Sequence, residues 1–231
     1  MSARYALYFA PEPGSALERF GRHWLGRNAA TGELLRQPTL TGVSETRLHA
    51  LTAAPRHYGF HGTLKPPFRL ASGHDEQALR SAIAAFCARQ QAFVVKSLRL
   101  QEIGDFLALT PRMPSAALSA LADACVTEFD SYRAPPKAAE LAKRQAAGLS
   151  PRQHELLARW GYPYVLDEFR FHLSLTGPIE DAAERAQIMD LLDPLAAPVL
   201  AEPMAVRKLC LVFQPDGATP FRLIERFGFG S

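Results

Sequence analysis

Polar and apolar side chains alternate along two short stretches that spell the same pattern. The first is Phe60-His61-Gly62-Thr63-Leu64-Lys65-Pro66-Pro67 and the second is Phe171-His172-Leu173-Ser174-Leu175-Thr176-Gly177-Pro178, both F-H-x-[S/T]-L-x-x-P. Residues two apart on a strand share a face. His61 and Thr63 therefore point one way, as do Arg170, His172 and Ser174. Phe60 and Leu64 point the other way, as do Phe169, Phe171, Leu173 and Leu175, where burial would take them. Each strand is expected to stop at its proline, which cannot donate to a sheet ladder.

Elsewhere the apolar period moves between about two and 3.6. A strand is predicted over 4–9, closed by Pro11-Glu12-Pro13-Gly14. Ser15 and Glu18 make a capping box for a helix to about residue 27, with Leu17, Phe20, Trp24 and Leu25 on one face. Residues 28–43 read as loop, and a short helix over 44–53 ends before Pro55. His57 is then placed on extended chain leading into the first motif. A helix over 75–90 would bury Leu79, Ile83, Phe86 and Cys87. Strands over 93–100 and 106–110 form a hairpin at Gly104-Asp105. The spacing of Leu118, Leu121, Cys125 and Phe129 predicts a helix over 115–129. After the second motif come a helix over 179–192, with Glu180, Asp181 and Glu184 suited to its N-terminus, and strands over 204–213 and 221–227 about Pro215-Asp216-Gly217. Each half reads motif strand, helix, strand, turn, strand. This weak duplication predicts an α+β fold of two lobes, spanning 1–231 as one domain, related by a pseudo-two-fold axis with the motif strands at the seam.

Residues 131–165 break the rhythm. Arg133, Lys137, Lys143, Arg144, Arg152 and Arg159 make the stretch basic, and Pro135-Pro136 interrupts it. Ser150-Pro151-Arg152-Gln153 is a second capping box with proline at the first helical position, opening a helix that stops at Gly161. The stretch is expected to be a helical insertion between the halves, either a lid over the site or a solvated helical pair.

Composition changes this picture little. The 231 residues are 48% hydrophobic and 21% charged, which suits a globular chain with a substantial core. A net charge of +3 suits an anionic substrate but lacks the clustered footprint of a nucleic-acid binder. Cys87, Cys125 and Cys210 are odd in number, far apart and without a C-x-x-C, so neither a disulfide framework nor a cysteine zinc site is indicated. Met1-Ser2-Ala3-Arg4 leads straight into a strand without a signal-peptide pattern, and no stretch reaches transmembrane length. A cytoplasmic protein with no membrane partner is the expectation.

The paired motifs supply the chemistry. Two imidazoles and two hydroxyls on one open face suit a reaction that needs one general base and one general acid near neutral pH. Opening a phosphodiester is such a reaction, with water losing a proton on one side and an alkoxide gaining one on the other. Thr63 and Ser174 would donate to non-bridging phosphate oxygens. No metal or organic cofactor is required, although a zinc site from His57, His61 and His172 is an alternative.

His61-Gly62-Thr63 and His172-Leu173-Ser174 resemble the paired H-x-[ST] signatures of the LigT-like 2H phosphoesterase superfamily. Arg56-His57-Tyr58-Gly59-Phe60-His61, Trp160-Gly161-Tyr162-Pro163-Tyr164 and Glu168-Phe169-Arg170-Phe171-His172 resemble a narrower branch, the "phosphonate metabolism protein" group encoded beside carbon–phosphorus lyase genes in bacteria. The resemblance covers essentially the whole chain and implies two antiparallel sheets flanking a central cleft, helices outside, and His61 and His172 as acid and base in an order the symmetry hides. Ser174 stands where threonine is usual. The gene neighbourhood suggests a small phosphorylated ribose carrying a cyclic phosphate. Lys65, Arg170, Tyr58, Arg133 and Arg144 are the expected substrate-binding residues. RNA 2′,3′-cyclic phosphodiesterase or 2′-5′ RNA ligase-like activity is the enzymatic alternative, and a non-catalytic protein binding a phosphorylated metabolite the other.

Overall fold

A computed structural model describes residues 3–145 and 148–230, with Lys143 described by its backbone alone. The start at Met1-Ser2 lies outside the described residues. In chain order the elements are β1 (Arg4–Phe9), α1 (Ala16–Leu25), α2 (Glu45–Leu51), α3 (Ala53–Tyr58), β2 (Gly62–Phe68), α4 (Glu76–Cys87), β3 (Phe93–Val95), β4 (Leu98–Ile103), β5 (Phe106–Pro111), α5 (Ala116–Glu128), α6 (Ala138–Gln145), α7 (Pro151–Trp160), β6 (Leu173–Ser174), α8 (Ala182–Leu200), β7 (Met204–Val206), β8 (Lys208–Gln214) and β9 (Arg222–Gly228). The α+β class predicted from the duplication is the one observed.

Seven strands form an antiparallel sheet in the order β4-β5-β6-β2-β1-β8-β9, and β3 pairs with β7 in a small second ladder. The motif strands β2 and β6 are neighbours at the centre, so the sheets of the two halves join there. The halves repeat as β2-α4-β3-β4-β5 and β6-α8-β7-β8-β9. Their hairpins cross over. The β4–β5 hairpin of the first half pairs with β6, and β8–β9 of the second half lies beyond β1 on the β2 side. Helix α4 packs on β8 and β9, and α8 on β4 and β5, so each half covers the other's hairpin. Strand β1 is buried on both faces: Leu7 and Phe9 enter the main core, while Ala6 and Tyr8 pack with Val212 and Phe221.

Several local expectations are corrected. Strand β2 continues through Pro66 and Pro67 to Phe68, because the pairing with β1 shifts register there and β6 reaches β2 only at Gly62; proline is tolerated where the ladder is broken. The single helix over 44–53 is two, and Pro55 sits in the first turn of α3, where its missing amide would have had no helical partner. His57 is therefore helical. The strands over 93–100 and 204–213 each divide, their first three residues forming the β3–β7 ladder. Helix α8 starts after Asp181, whose carboxylate caps it, and runs beyond Leu192 through Pro194 and Pro198; the buried Ala196 and Val199 hold its last turns. At α1 half of the capping box forms: Ser15 accepts from the Glu18 amide, while the Glu18 carboxylate takes the amide of Gly14. At α7 the box is complete.

Candidate active site

Strands β2 and β6 meet at one pair, Gly62 opposite Leu173. These are the middle residues of the two H-x-[S/T] triplets. Carried one residue each way, the antiparallel register sets His61 against Ser174 and Thr63 against His172. Glycine is required at position 62 by its neighbour: a Cβ there would lie 2.4 Å from Cε2 of Phe171. The aromatic ring before the second histidine thus fills the space over the first motif, and it also packs edge-on against Phe9.

The two histidines are held alike. Nδ1 of His61 lies 2.8 Å from the carbonyl of Gly59, and Nδ1 of His172 lies 2.8 Å from the carbonyl of Arg170. A carbonyl only accepts, so each Nδ1 carries the proton and donates, which leaves each Nε2 as the basic nitrogen. Nε2 of His61 is 3.1 Å from Oγ1 of Thr63. The His61 ring stacks on the buried Tyr8 with centroids 3.8 Å apart, and His172 lies 5.6 Å from Phe106. Burial pushes the pKa of His61 down to about 4, against the bond to Gly59 and with a further lowering from His172. Burial also lowers that of His172, against its bond to Arg170. Both rings are therefore neutral near pH 7.

A cavity of about 500 Å³ opens beside Thr63 and His172. Part of its wall comes from the basic segment, through Gln153, Tyr162 and Tyr164. The segment is anchored by its own sequence. Leu156 of α7 and Val165 pack on Val126 of α5. Arg152 pairs with both carboxylate oxygens of Asp167, and the Gln153 amide donates to Glu168. These bonds fasten α7 to the turn at 166–168, just before the second motif. Helix α7 contributes Gln153 to the cavity wall, and Arg152, Glu155 and Arg159 on it are exposed.

The expected binding residues divide. Arg170 lines the cavity. Tyr58 stacks on Phe221 and its ring is 6.1 Å from that of His61. Arg144 lies over the ring of Tyr162, 4.7 Å from its centroid, behind the cavity wall. Lys65 does not share the motif face. Tyr8 pairs with Thr63 but Leu7 with Lys65, so Leu64 is an extra residue and Lys65 turns to the side of Leu7. There it is buried, donating to the carbonyl of Val126, with Asp130 at 4.0 Å. Arg133 is also withdrawn, bonded to Asp130 and to the carbonyl of Arg159. His57 meets the side chain of Gln214 at 2.9 Å instead of joining a zinc site with His61 and His172. Among the described residues, no three His, Cys, Asp or Glu side chains are grouped to hold a metal ion. No helix among them is long and apolar enough to cross a membrane. Sequence reasoning did not assign Tyr8, Phe106, Gln153 and Tyr162 to the site, which they reach from other strands and from α7 and its C-terminal turn; the capping box at Gln153 and the string over 160–164 at Tyr162 were the local signals.

Residues 63–222 match the family described as protein of unknown function (DUF1045). The chain belongs to this family. The DUF1045 match takes in Thr63 and the whole second motif, with His61 just ahead of it. A protein named ribose 1,5-bisphosphate phosphokinase PhnN, from Janthinobacterium sp. (strain Marseille), is 42% identical over 229 residues, 98% of this chain and 51% of the relative. One of the same name from Laribacter hongkongensis (strain HLHK9) is 34% identical over 223 residues, 95% of this chain and 50% of the relative. The chain thus spans about half the length of the curated relatives it matches. Among solved structures, a phosphoesterase aligns with TM-score 0.45 and 14% identity over 99% of both chains. Escherichia coli LigT complexed with 3′-AMP aligns with TM-score 0.44 and 14% identity over 100% of both.

Proposed function

We propose that this chain is a cyclic phosphodiesterase that opens a small cyclic phosphate, borne on a phosphorylated ribose, by two-histidine acid–base catalysis. The observation that carries this reading is the matched pair at the seam. Two imidazoles from two copies of one motif, each with Nδ1 fixed by the carbonyl two residues before it, have Nε2 as the basic nitrogen, that of His61 bonded to the Thr63 hydroxyl. One Nε2 takes a proton from water as it attacks phosphorus; the other gives a proton to the oxygen that leaves. In a cyclic phosphate the leaving oxygen stays on the sugar, and the cavity that would hold a sugar opens on His172. His172 is accordingly the acid and His61, held neutral by burial, the base. Phosphate binding raises both pKa values, and that is what protonates His172. In the complex the Thr63 hydroxyl turns away from Nε2 of His61, to which it donates in the free protein, and donates with Ser174 to the non-bridging oxygens.

The phosphokinase in the relatives' name belongs to proteins about twice this length. The 231 residues here contain no G-x-x-x-x-G-K-[ST] loop of the kind that cradles nucleotide phosphates, and we assign the kinase step to the other half of those proteins. The ribose 1,5-bisphosphate in those relatives' name supports the substrate class proposed. The test is hydrolysis with EDTA present, comparing phosphoribosyl 1,2-cyclic phosphate, 2′,3′-cyclic nucleotides and short RNAs with cyclic ends. Chelator-resistant turnover of the first, lost in His172→Ala, is the expected result. Preference for the RNAs would replace the substrate class, and binding of all three without turnover would make the protein a sensor.

A further inference from the structure

A second cavity, of about 390 Å³, adjoins the first, and Ile103, Gly104, Phe169 and Arg170 line both. Its charge is one-sided. Arg99, Arg112 and Arg170 line it, and among the described residues none of the three guanidinium groups has a carboxylate or hydrogen-bond partner. Glu102, also on its wall, is engaged by Arg185 at 2.9 Å. The β4–β5 hairpin explains the convergence. Arg99 pairs with Thr110, and Gln101 with Ala108, which pairs in turn with Ser174. Cross-strand partners share a face, so Arg99, Gln101 and Thr110 lie on the face that carries the second motif's hydroxyl; Arg112 follows Thr110 by two residues. Thr110 donates to Oε1 of Gln101, which leaves the Gln101 amide nitrogen as a donor toward the cavity. The three arginines are exposed and free to engage a ligand, and their planar donors match phosphate oxygens.

We propose that this second cavity is the subsite for a terminal phosphomonoester of the substrate, held by Arg99, Arg112 and Arg170 with the amide of Gln101, and that it selects phosphorylated sugars over unphosphorylated ones. This rests on the cyclic phosphodiesterase reading. Strand β4 lies two strands from β6, roughly 10 Å at the usual spacing. A pentose with phosphates at both ends therefore bridges the two cavities, whereas a nucleoside cyclic phosphate without a further phosphate leaves the arginines unanswered. Arg99, Gln101 and Arg112 belong to the first half of the chain by sequence but serve the second motif, with its own Arg170, in space.

The deciding experiment pairs substrates that differ only in that group: phosphoribosyl 1,2-cyclic phosphate against ribosyl 1,2-cyclic phosphate. Arg99→Ala and Arg112→Ala should each raise KM about ten- to a hundredfold for the phosphorylated substrate and leave the unphosphorylated one unchanged. Arg99→Lys should fall between. Equal losses on both substrates, or none on either, would overturn the subsite while leaving the hydrolase intact. Binding of ribose 5-phosphate to the His61→Ala protein, followed by calorimetry, needs no turnover. Its loss in His61→Ala/Arg99→Ala supports the subsite even if no cyclic phosphate is hydrolysed, and unchanged binding counts against it. Arginine dependence confined to RNAs with cyclic ends would also overturn it, by making the groove a path for a polynucleotide.

Discussion

The two copies of the motif carry one chemical pattern in two settings. The first opens into a seven-residue strand, starting just after its histidine and paired with β1 nearly end to end, and that histidine is pressed on Tyr8 with Nε2 bonded to Thr63. The second has a strand of two residues; His172 and Arg170 stand in the irregular run before it and face the cavity. The difference comes from what lies beside each copy. Strand β1, itself paired with β8, braces the first along its length, while the second is held by β5 on one side, by a single pair to β2 on the other and by the turn tied to α7. A short sequence repeated within one chain has become a long braced strand in one place and an irregular run with a two-residue strand in the other, and both copies contribute to the cavity wall.

If the two copies nonetheless act as one catalytic unit, the largest effects come from the rings themselves. His61→Ala and His172→Ala should each lower kcat by roughly 10²–10⁴ on a cyclic phosphate, since each removes one proton transfer. The double variant should be little worse than either single one. Losses that multiply would mean that the copies work separately. The hydroxyls come next. Thr63→Val should cost more than Ser174→Ala, because Thr63 both bonds Nε2 of His61 and borders the cavity. About tenfold to a hundredfold in kcat is expected for Thr63, at or below the low end for an oxyanion donor. A larger loss at Ser174 would reverse the roles given to the two copies.

The same comparison shows how much was legible in the sequence. His61, Thr63, His172 and Ser174 could be read from alternation, because on each copy the large apolar residues had one face to bury and the polar ones were left the other. Helices α4 and α5 were legible for a similar reason: Leu79, Ile83 and Phe86, and Leu118, Leu121 and Cys125, repeat at helical spacing and carry their own caps at Asp75 and Ser115. Lys65 was misread because one extra residue at Leu64 reverses the face, and a bulge has no signature in the alternation it interrupts. Tyr8, Phe106, Arg99 and Arg112 were out of reach altogether. They come to the site through strand pairings made across the halves, and a single sequence records no such partners.

Position 62 sharpens the comparison in stability. Gly62→Ala places a methyl against the Phe171 ring and should destabilise the protein by about 1–3 kcal/mol, the usual cost of overpacking. Adding Phe171→Leu should recover part of that loss, read from urea midpoints at constant m-value. The equivalent position in the second copy behaves oppositely. Leu173 is fully buried, and Leu173→Ala removes atoms instead of adding them, at about 2–5 kcal/mol. Independent effects at 62 and 171 would mean that the copies are not locked through this contact.

The last effect is electrostatic, is confined to a window of pH and bears on both rings. The pKa of His61 is held near 4 in the folded protein, below its ordinary value of about 6.5. Between those values the unfolded chain binds more protons than the folded one at this site, so stability falls as the pH drops through that window and is fully present above it. His172 is shifted the same way and adds to the slope. His61→Gln should flatten the dependence of the urea midpoint on pH between about 6.5 and 4, and His172→Gln should do so as well. Because His172 is part of what lowers His61, each substitution also relieves the other ring, and the double variant should flatten the curve by less than the two singles added together. Strict additivity would place the rings too far apart to sense one another, and the shared acid–base cycle would lose its geometric basis.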